Sequence, residues 1–104
     1  MKIEKFNEAK KIKPYDKYLK YLHEIFTECG IRINEQYDNN VEIVLEYRSI
    51  DTEKLKAIYE NFKDLELNMI YKSYSNLIKV TVYSVPESFF EPFDRKIEIE
   101  KFNI

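Results

Sequence analysis

The chain has 104 residues, of which 44% are hydrophobic and 35% are charged, with a net charge of −2. This length predicts one domain over residues 1-104, and the balanced charge argues against both a strongly basic nucleic-acid binder and an acidic mimic. A single cysteine cannot form an intrachain disulfide, and no apolar run is long enough to span a bilayer, so we expect a cytoplasmic protein with no membrane partner.

The first half of the chain predicts a helix followed by a hairpin. Pro14 suits the first position of a helix, because the missing N–H costs nothing there. An apolar stripe at helical spacing continues to Cys29, and Gly30 follows as the expected left-handed cap. Apolar and polar residues then alternate over 31–37 and 41–48, which predicts two half-buried strands joined by an Asp/Asn turn.

The second half repeats this pattern. Asp51 is the expected N-cap of a helix whose buried stripe includes Tyr59 and ends at Phe62. Alternation then predicts strands over 65–71 and 78–83. The two helix–hairpin units align at an offset of about 36 residues, which predicts either an internal duplication of an αββ unit or convergent patterning.

Both chain ends carry strand-like alternation. Ile97 and Ile99 alternate with glutamates and predict a last strand, while Ile3 and Phe6 predict a first one. The sequence therefore predicts an α+β fold, an antiparallel sheet with two helices packed on one face in the ferredoxin-like order (β)αββαββ(β). The alternative is an αββαββ sheet with a loosely attached N-terminus.

The sequence offers few groups for catalysis. His23 is the only histidine, and the only cysteine lies six residues further on, so the two side chains point to different sides of the predicted helix and cannot share a metal. The single glycine excludes a glycine-rich phosphate loop. Two carboxylate pairs on predicted strands, Glu42/Glu46 and Glu98/Glu100, are better explained as solvated charges. We expect no enzyme activity, no cofactor and no metal site.

The missing chemistry favours a small non-enzymatic protein-binding module. An inhibitor or immunity-type protein of a mobile element would fit this size and would act by occupying a protein partner. The alternative contact on the same surface is self-association as a homodimer. The segment from Pro86 to Phe93 is a predicted turn rich in phenylalanine. Its rings either plug one end of the core, which is the favoured interpretation, or anchor the partner. The expected partner-binding residues, on the open sheet face and in this turn, are Val44, Ile70, Tyr74, Tyr83, Phe89, Phe90 and Phe93.

Two further functions stay open. The first is nucleic-acid binding through a stripe of N-terminal lysines interleaved with tyrosines, which would contact phosphates and bases. The lysines of this stripe are Lys10, Lys13, Lys17 and Lys20. The other is a homo-oligomeric structural domain with no ligand site of its own.

Overall fold

The computed structural model describes residues 14–102, which form an α+β fold with an antiparallel four-stranded sheet. The strands are β1 (Cys29–Glu35), β2 (Val41–Tyr47), β3 (Leu67–Lys72) and β4 (Leu77–Val85). The α-helices are α1 (Leu19–Ile25), α2 (Thr52–Asn61) and α3 (Glu91–Phe102). Two short 3-10 helices, Asp16–Tyr18 and Glu87–Phe90, lead directly into α1 and α3.

The strand order is β1-β2-β4-β3, so the two hairpins lie side by side with β1 and β3 at the edges of the sheet. The central strands β2 and β4 pair directly and antiparallel, with Leu45 opposite Val80. This order differs from the expected ferredoxin-like arrangement, which is not confirmed. The described elements follow the alternative αββαββ order with a further C-terminal helix. The internal duplication stays a prediction, and the predicted first strand at Ile3 and Phe6 lies outside the described residues.

The core fills the space between one sheet face and the three helices. Alternate residues of β2 point to this side, and four of them are at most 1% exposed: Val41, Ile43, Leu45 and Tyr47. Aromatic rings join the helices to one another. Phe26 stacks on Phe62 with ring centroids 5.2 Å apart, and Tyr21 stacks on Phe93 at 5.8 Å. Burial of such rings dominates core energetics, so the aromatic contacts fix how the helices lie on the sheet.

Local signals predict several elements correctly. The Oδ1 atom of Asp51 accepts a hydrogen bond from the backbone N–H of Lys54 at 2.9 Å, which confirms the N-cap of α2. Asp38 and Asn39 have φ of 61° and 62°, the positive angles that a tight hairpin turn between β1 and β2 requires. Tyr59 is an exception, because its side chain is 53% exposed and does not join the buried stripe.

The predicted boundary between α1 and β1 is wrong. The backbone is already extended at Phe26, so the helix ends before Cys29. Glu28, and not Gly30, adopts the left-handed conformation with φ 60°. Cys29 and Gly30 instead begin β1 and pair with β2, where ladder hydrogen bonds replace those of a longer helix.

The predicted last strand is also wrong, because this segment is α3. Phe93 and Ile97 lie four residues apart, so they share the helix face that packs on the core. Ile99 is 59% exposed on another face. Pro92 falls in the first turn, where its missing N–H interrupts no helical hydrogen bond. The alternation of isoleucine and glutamate therefore wrongly indicated a strand, because it arises in a helix whose charged residues are exposed.

Candidate protein-binding surface

The phenylalanine-rich turn belongs to the core. Phe90 and Phe93 are 1% and 4% exposed, and Phe89 is half-buried between them. Rings of Tyr18 and Phe90 stack with centroids 4.5 Å apart. The favoured interpretation of this turn as a core plug is confirmed, because neighbouring rings cover Phe90 and Phe93. Contact of these two residues with a partner stays a prediction, which their burial does not favour.

The open sheet face is also less accessible than expected at its centre. Val44 points away from the helices but is only 2% exposed, and its cross-strand partner Thr81 is 6% exposed. Both residues lie on central strands, which have a hydrogen-bonded strand on each side. Val44 therefore offers little surface for contact, and its role at a partner interface stays a prediction that its burial does not favour.

The structure does not bring the expected tyrosines together. Tyr83 is half-buried opposite Glu66, at the end of β4 that is remote from the hairpin turn. Tyr74 lies in the turn itself and is 86% exposed. Tyr83 lies six residues along β4 from Leu77, about 20 Å at the usual rise per residue, and Tyr74 lies in the turn before Leu77. One contact of side-chain size therefore cannot include both tyrosines. Ile70, which is 47% exposed, lies on the neighbouring strand nearer to Tyr74.

Exposed apolar side chains instead concentrate along β3 and its turn. Met69 is 38% exposed, Ile70 47%, Tyr71 61% and Tyr74 86%. We call these four residues the hairpin edge. Met69 and Tyr71 pair with Val80 and Ile78 of β4 and so point to the helix side, yet both are exposed. Ile70 points to the opposite face, so both faces of the strand are apolar and accessible.

The backbone of β3 has a defined polarity at this edge. The N–H of Tyr83 donates to the carbonyl of Glu66 at 2.9 Å, so these residues form a hydrogen-bonded pair. Hydrogen-bonded and non-hydrogen-bonded pairs alternate along antiparallel strands, so the even-numbered residues of β3 also bond to β4. The odd-numbered residues direct their N–H and C=O groups outwards. These residues are Leu67, Met69 and Tyr71.

The two edges of the sheet differ in chemistry. The interior of β1 carries the exposed cation Arg32, whose Nη2 lies 3.9 Å from Oε2 of Glu46, while Ile33 in the same strand is buried. Charged side chains on an edge strand oppose pairing with another chain. The interior of β3, from Leu67 to Tyr71, has no charge, bulge or proline. Of the two edges within residues 14–102, β3 is therefore the one less protected by charge against pairing with a further strand.

The hairpin turn holds this edge in place. Asn76 adopts φ 56°, which an asparagine tolerates better than most residues. Its Oδ1 atom accepts a hydrogen bond of 2.8 Å from the hydroxyl of Tyr71. The tyrosine ring of the strand is thereby tied to the turn that carries Tyr74.

The lysine stripe is only partly within the described residues, because Lys10 and Lys13 precede them. Lys17 is exposed, with its Nζ 5.2 Å from the ring centroid of Tyr18. Lys20 points to α3, where its Nζ lies 3.3 Å from Oε1 of Glu100. The hydroxyl of Tyr21 donates to that carboxylate at 2.9 Å, and Tyr21 and then Lys20 lower the pKa of Glu100. The Lys20 cation therefore faces an ionised carboxylate, which reduces its attraction for phosphate.

A surface groove of about 580 Å³ lies beside Cys29. Its cation Lys54 is held by Glu28, with Nζ 2.8 Å from Oε1. The Cys29 thiol donates to the carbonyl of Phe26 at 3.4 Å, and burial raises the pKa of this thiol. A nucleophilic cysteine needs the opposite shift, so the groove lacks an activated thiol.

Within residues 14–102, no three His, Cys, Asp or Glu side chains converge as metal ligands. His23 is exposed on α1. No helix in this part of the chain is long and apolar enough to cross a membrane. The expectation that the protein is not an enzyme stays a prediction.

Sequence reasoning found Ile70 and Tyr74 but missed Met69 and Tyr71. Their period-two spacing from Leu67 placed them on one face of the predicted strand, opposite to Ile70, which suggested burial. Their exposure depends on β3 being an edge strand, and strand order is a non-local property. The uncharged interior of the strand was the one signal in the sequence that pointed to an unprotected edge.

No protein-family model matches this chain, and no curated protein or solved structure matches it. The geometry of the hairpin edge is therefore the basis for a function.

Proposed function

We propose that this protein is a non-enzymatic protein-binding module that takes up a β-strand of its partner along the outer edge of β3. The observation that carries this proposal is the hairpin edge, where outward backbone groups coincide with exposed apolar side chains on both faces of one strand. Strand addition uses these two features together, because main-chain hydrogen bonds give affinity and alternate side chains give specificity.

Composition of the edge supports protein rather than nucleic acid as the partner. Tyrosine and methionine are enriched at protein interfaces, and lysine is depleted there. The hairpin edge contains two tyrosines, one methionine and one isoleucine, and Lys72 lies at its margin. An inhibitor or immunity protein would act by occupying its partner in this way, and that assignment remains a prediction.

The test is capture of a partner from nuclease-treated extract of the native host, followed by reconstitution with the purified partner. We expect the double variant Ile70→Ala/Tyr71→Ala to bind the purified partner about tenfold or more weakly, because central apolar and aromatic contacts dominate interface energies. Isothermal titration calorimetry measures this change.

The matched control is Tyr37→Ala/Tyr59→Ala, which removes two tyrosines that are 91% and 53% exposed elsewhere on the surface. We expect this control to bind as the unaltered protein does. Equal binding by both double variants would show that the partner docks elsewhere.

A further inference from the structure

The outward N–H and C=O groups of β3 restrict how a second copy of this chain can pair with it. In an antiparallel pair, residues whose groups point outwards must face residues of the same kind. Odd-numbered residues of β3 must therefore face odd-numbered residues of the other copy. Two such registers keep the strands well overlapped, one with its twofold axis at Met69 and one with its axis at Ile70.

Charge separates these two registers. With the axis at Met69, Glu66 of each copy lies opposite Lys72 of the other. Two pairs of oppositely charged residues therefore flank the apolar centre. With the axis at Ile70, Glu66 faces Tyr74 and Lys72 faces Asn68, and neither charge meets its complement. Opposite charges directly across antiparallel strands are stabilising, so electrostatics favours the Met69 register.

The same register covers the apolar side chains on both faces. On the helix side, Met69 faces Met69 of the second copy, and Leu67 faces Tyr71 twice. On the open side, Ile70 lies beside Asn68 of the second copy. In the Ile70 register, by contrast, Leu67 would face Ser73, which belongs to the turn and not to the strand.

The geometry points to a symmetric dimer in which β3 pairs antiparallel with β3 of a second copy, with the twofold axis at Met69. The two sheets then join into one eight-stranded sheet, and each edge strand gains hydrogen-bond partners for its outward groups. This inference rests on the proposed role of the β3 edge in strand addition, and it names a second copy as the occupant.

The contact between two short strands is small for a protein interface, so we expect a weak dimer with a dissociation constant on the order of 100 µM. Sedimentation equilibrium of the full chain over about 10 µM to 1 mM measures it. A full-length protein that stays monomeric across this range would overturn the inference.

Met69→Pro tests the use of the edge. The N–H of Met69 points away from β4, so a proline there removes an outward donor without removing a hydrogen bond of the native sheet. We expect this variant to retain the far-UV circular dichroism spectrum of the unaltered protein and to remain monomeric up to 1 mM. A folded Met69→Pro protein that still dimerises would exclude pairing at this edge.

A charge exchange tests the register and does not depend on the proline. Glu66→Lys and Lys72→Glu each place like charges opposite one another twice, so each variant alone should dimerise about tenfold or more weakly at low salt. An equimolar mixture of the two restores opposite charges at both positions and should dimerise as the unaltered protein does. Glu98→Lys, on exposed α3 surface, makes the same charge change and should have no effect.

Equal dimerisation of the separate variants and their mixture would contradict the Met69 register. Failure of the proposed function is distinguishable from failure of this inference. If the protein is monomeric but its Ile70→Ala/Tyr71→Ala variant no longer binds the purified partner, the proposed function holds and the dimer does not. If the protein dimerises and responds to the charge exchange as expected but captures no other protein, the dimer inference holds and the proposed binding of another protein does not.

Discussion

At the residue scale, two buried tyrosines differ in what their hydroxyl groups contact. The hydroxyl of Tyr18 donates to Oδ1 of Asp94 at 2.7 Å and so joins α3 to the segment before α1. The hydroxyl of Tyr47 is fully buried, and no group of residues 14–102 makes a hydrogen bond with it. Burial raises the pKa of both phenols. The hydrogen bond to Asp94 raises it further at Tyr18, and the charge interaction with the neighbouring Cys29 thiol raises it further at Tyr47.

These surroundings predict opposite outcomes for one substitution. Tyr18→Phe loses a hydrogen bond to a charged group and should lower the free energy of unfolding by about 1–2 kcal/mol. Tyr47→Phe removes a buried hydroxyl that makes no hydrogen bond, so stability should stay unchanged or rise by up to about 1 kcal/mol. Urea unfolding at pH 7 measures both. A loss at Tyr47 equal to that at Tyr18 would show that the Tyr47 hydroxyl is bonded in solution.

Single residues also show where sequence reasoning succeeds. Asp51 was predicted as an N-cap because its side chain needs only the backbone three residues further on. Asp38 and Asn39 were predicted to turn for a similarly local reason. Gly30 was predicted wrongly, because its backbone is set by pairing with β2, and the left-handed residue is Glu28.

At the element scale, α3 is the main departure from the sequence prediction. Alternating isoleucine and glutamate over 97–100 indicated a strand, but Phe90, Phe93 and Ile97 repeat at helical spacing and face the core. The longer pattern describes the segment better than the shorter one, because Phe90 and Phe93 are buried and Ile97 packs against the same core, whereas Ile99 is exposed. The end of the chain therefore adds a third helix over the core.

This packing predicts a large difference between two phenylalanines of the C-terminal segment. Phe90→Ala leaves a cavity among rings that include Tyr18 and Phe93, so it should lower the free energy of unfolding by about 3–5 kcal/mol. Phe102, in the last turn of α3, is 86% exposed, so Phe102→Ala should change it by less than about 0.5 kcal/mol. Urea unfolding compares them, and similar losses would contradict the docking of this segment.

At the scale of the whole molecule, the sheet order decides what the surface offers. Both hairpins follow from alternation and turn residues, which are local features. The order β1-β2-β4-β3 depends on how the hairpins pair with one another, and neither hairpin encodes that locally. The faces of Met69 and Tyr71 were therefore predictable, whereas their exposure at an edge was not.

The same strand order explains why the candidate site differs from the one that the sequence predicted. Val44 and Tyr83 lie on central strands, and neighbouring strands shelter them to different degrees. Met69, Ile70 and Tyr71 lie on a strand that pairs on one side only among residues 14–102. The binding surface therefore follows from tertiary arrangement acting on residues whose individual patterns are ordinary.

Residue-resolved amide hydrogen exchange of β3 by NMR tests the central claim most directly. In dilute protein, outward amides of Leu67, Met69 and Tyr71 should exchange faster than those of Asn68 and Ile70, which bond to β4. When the protein is concentrated to about 1 mM, a dissociation constant of about 100 µM leaves roughly a fifth of the chains monomeric, so the outward amides should slow by about fivefold. Saturation with the partner should slow them by about tenfold or more. Unchanged fast exchange of these three amides under both conditions would contradict strand addition at the β3 edge.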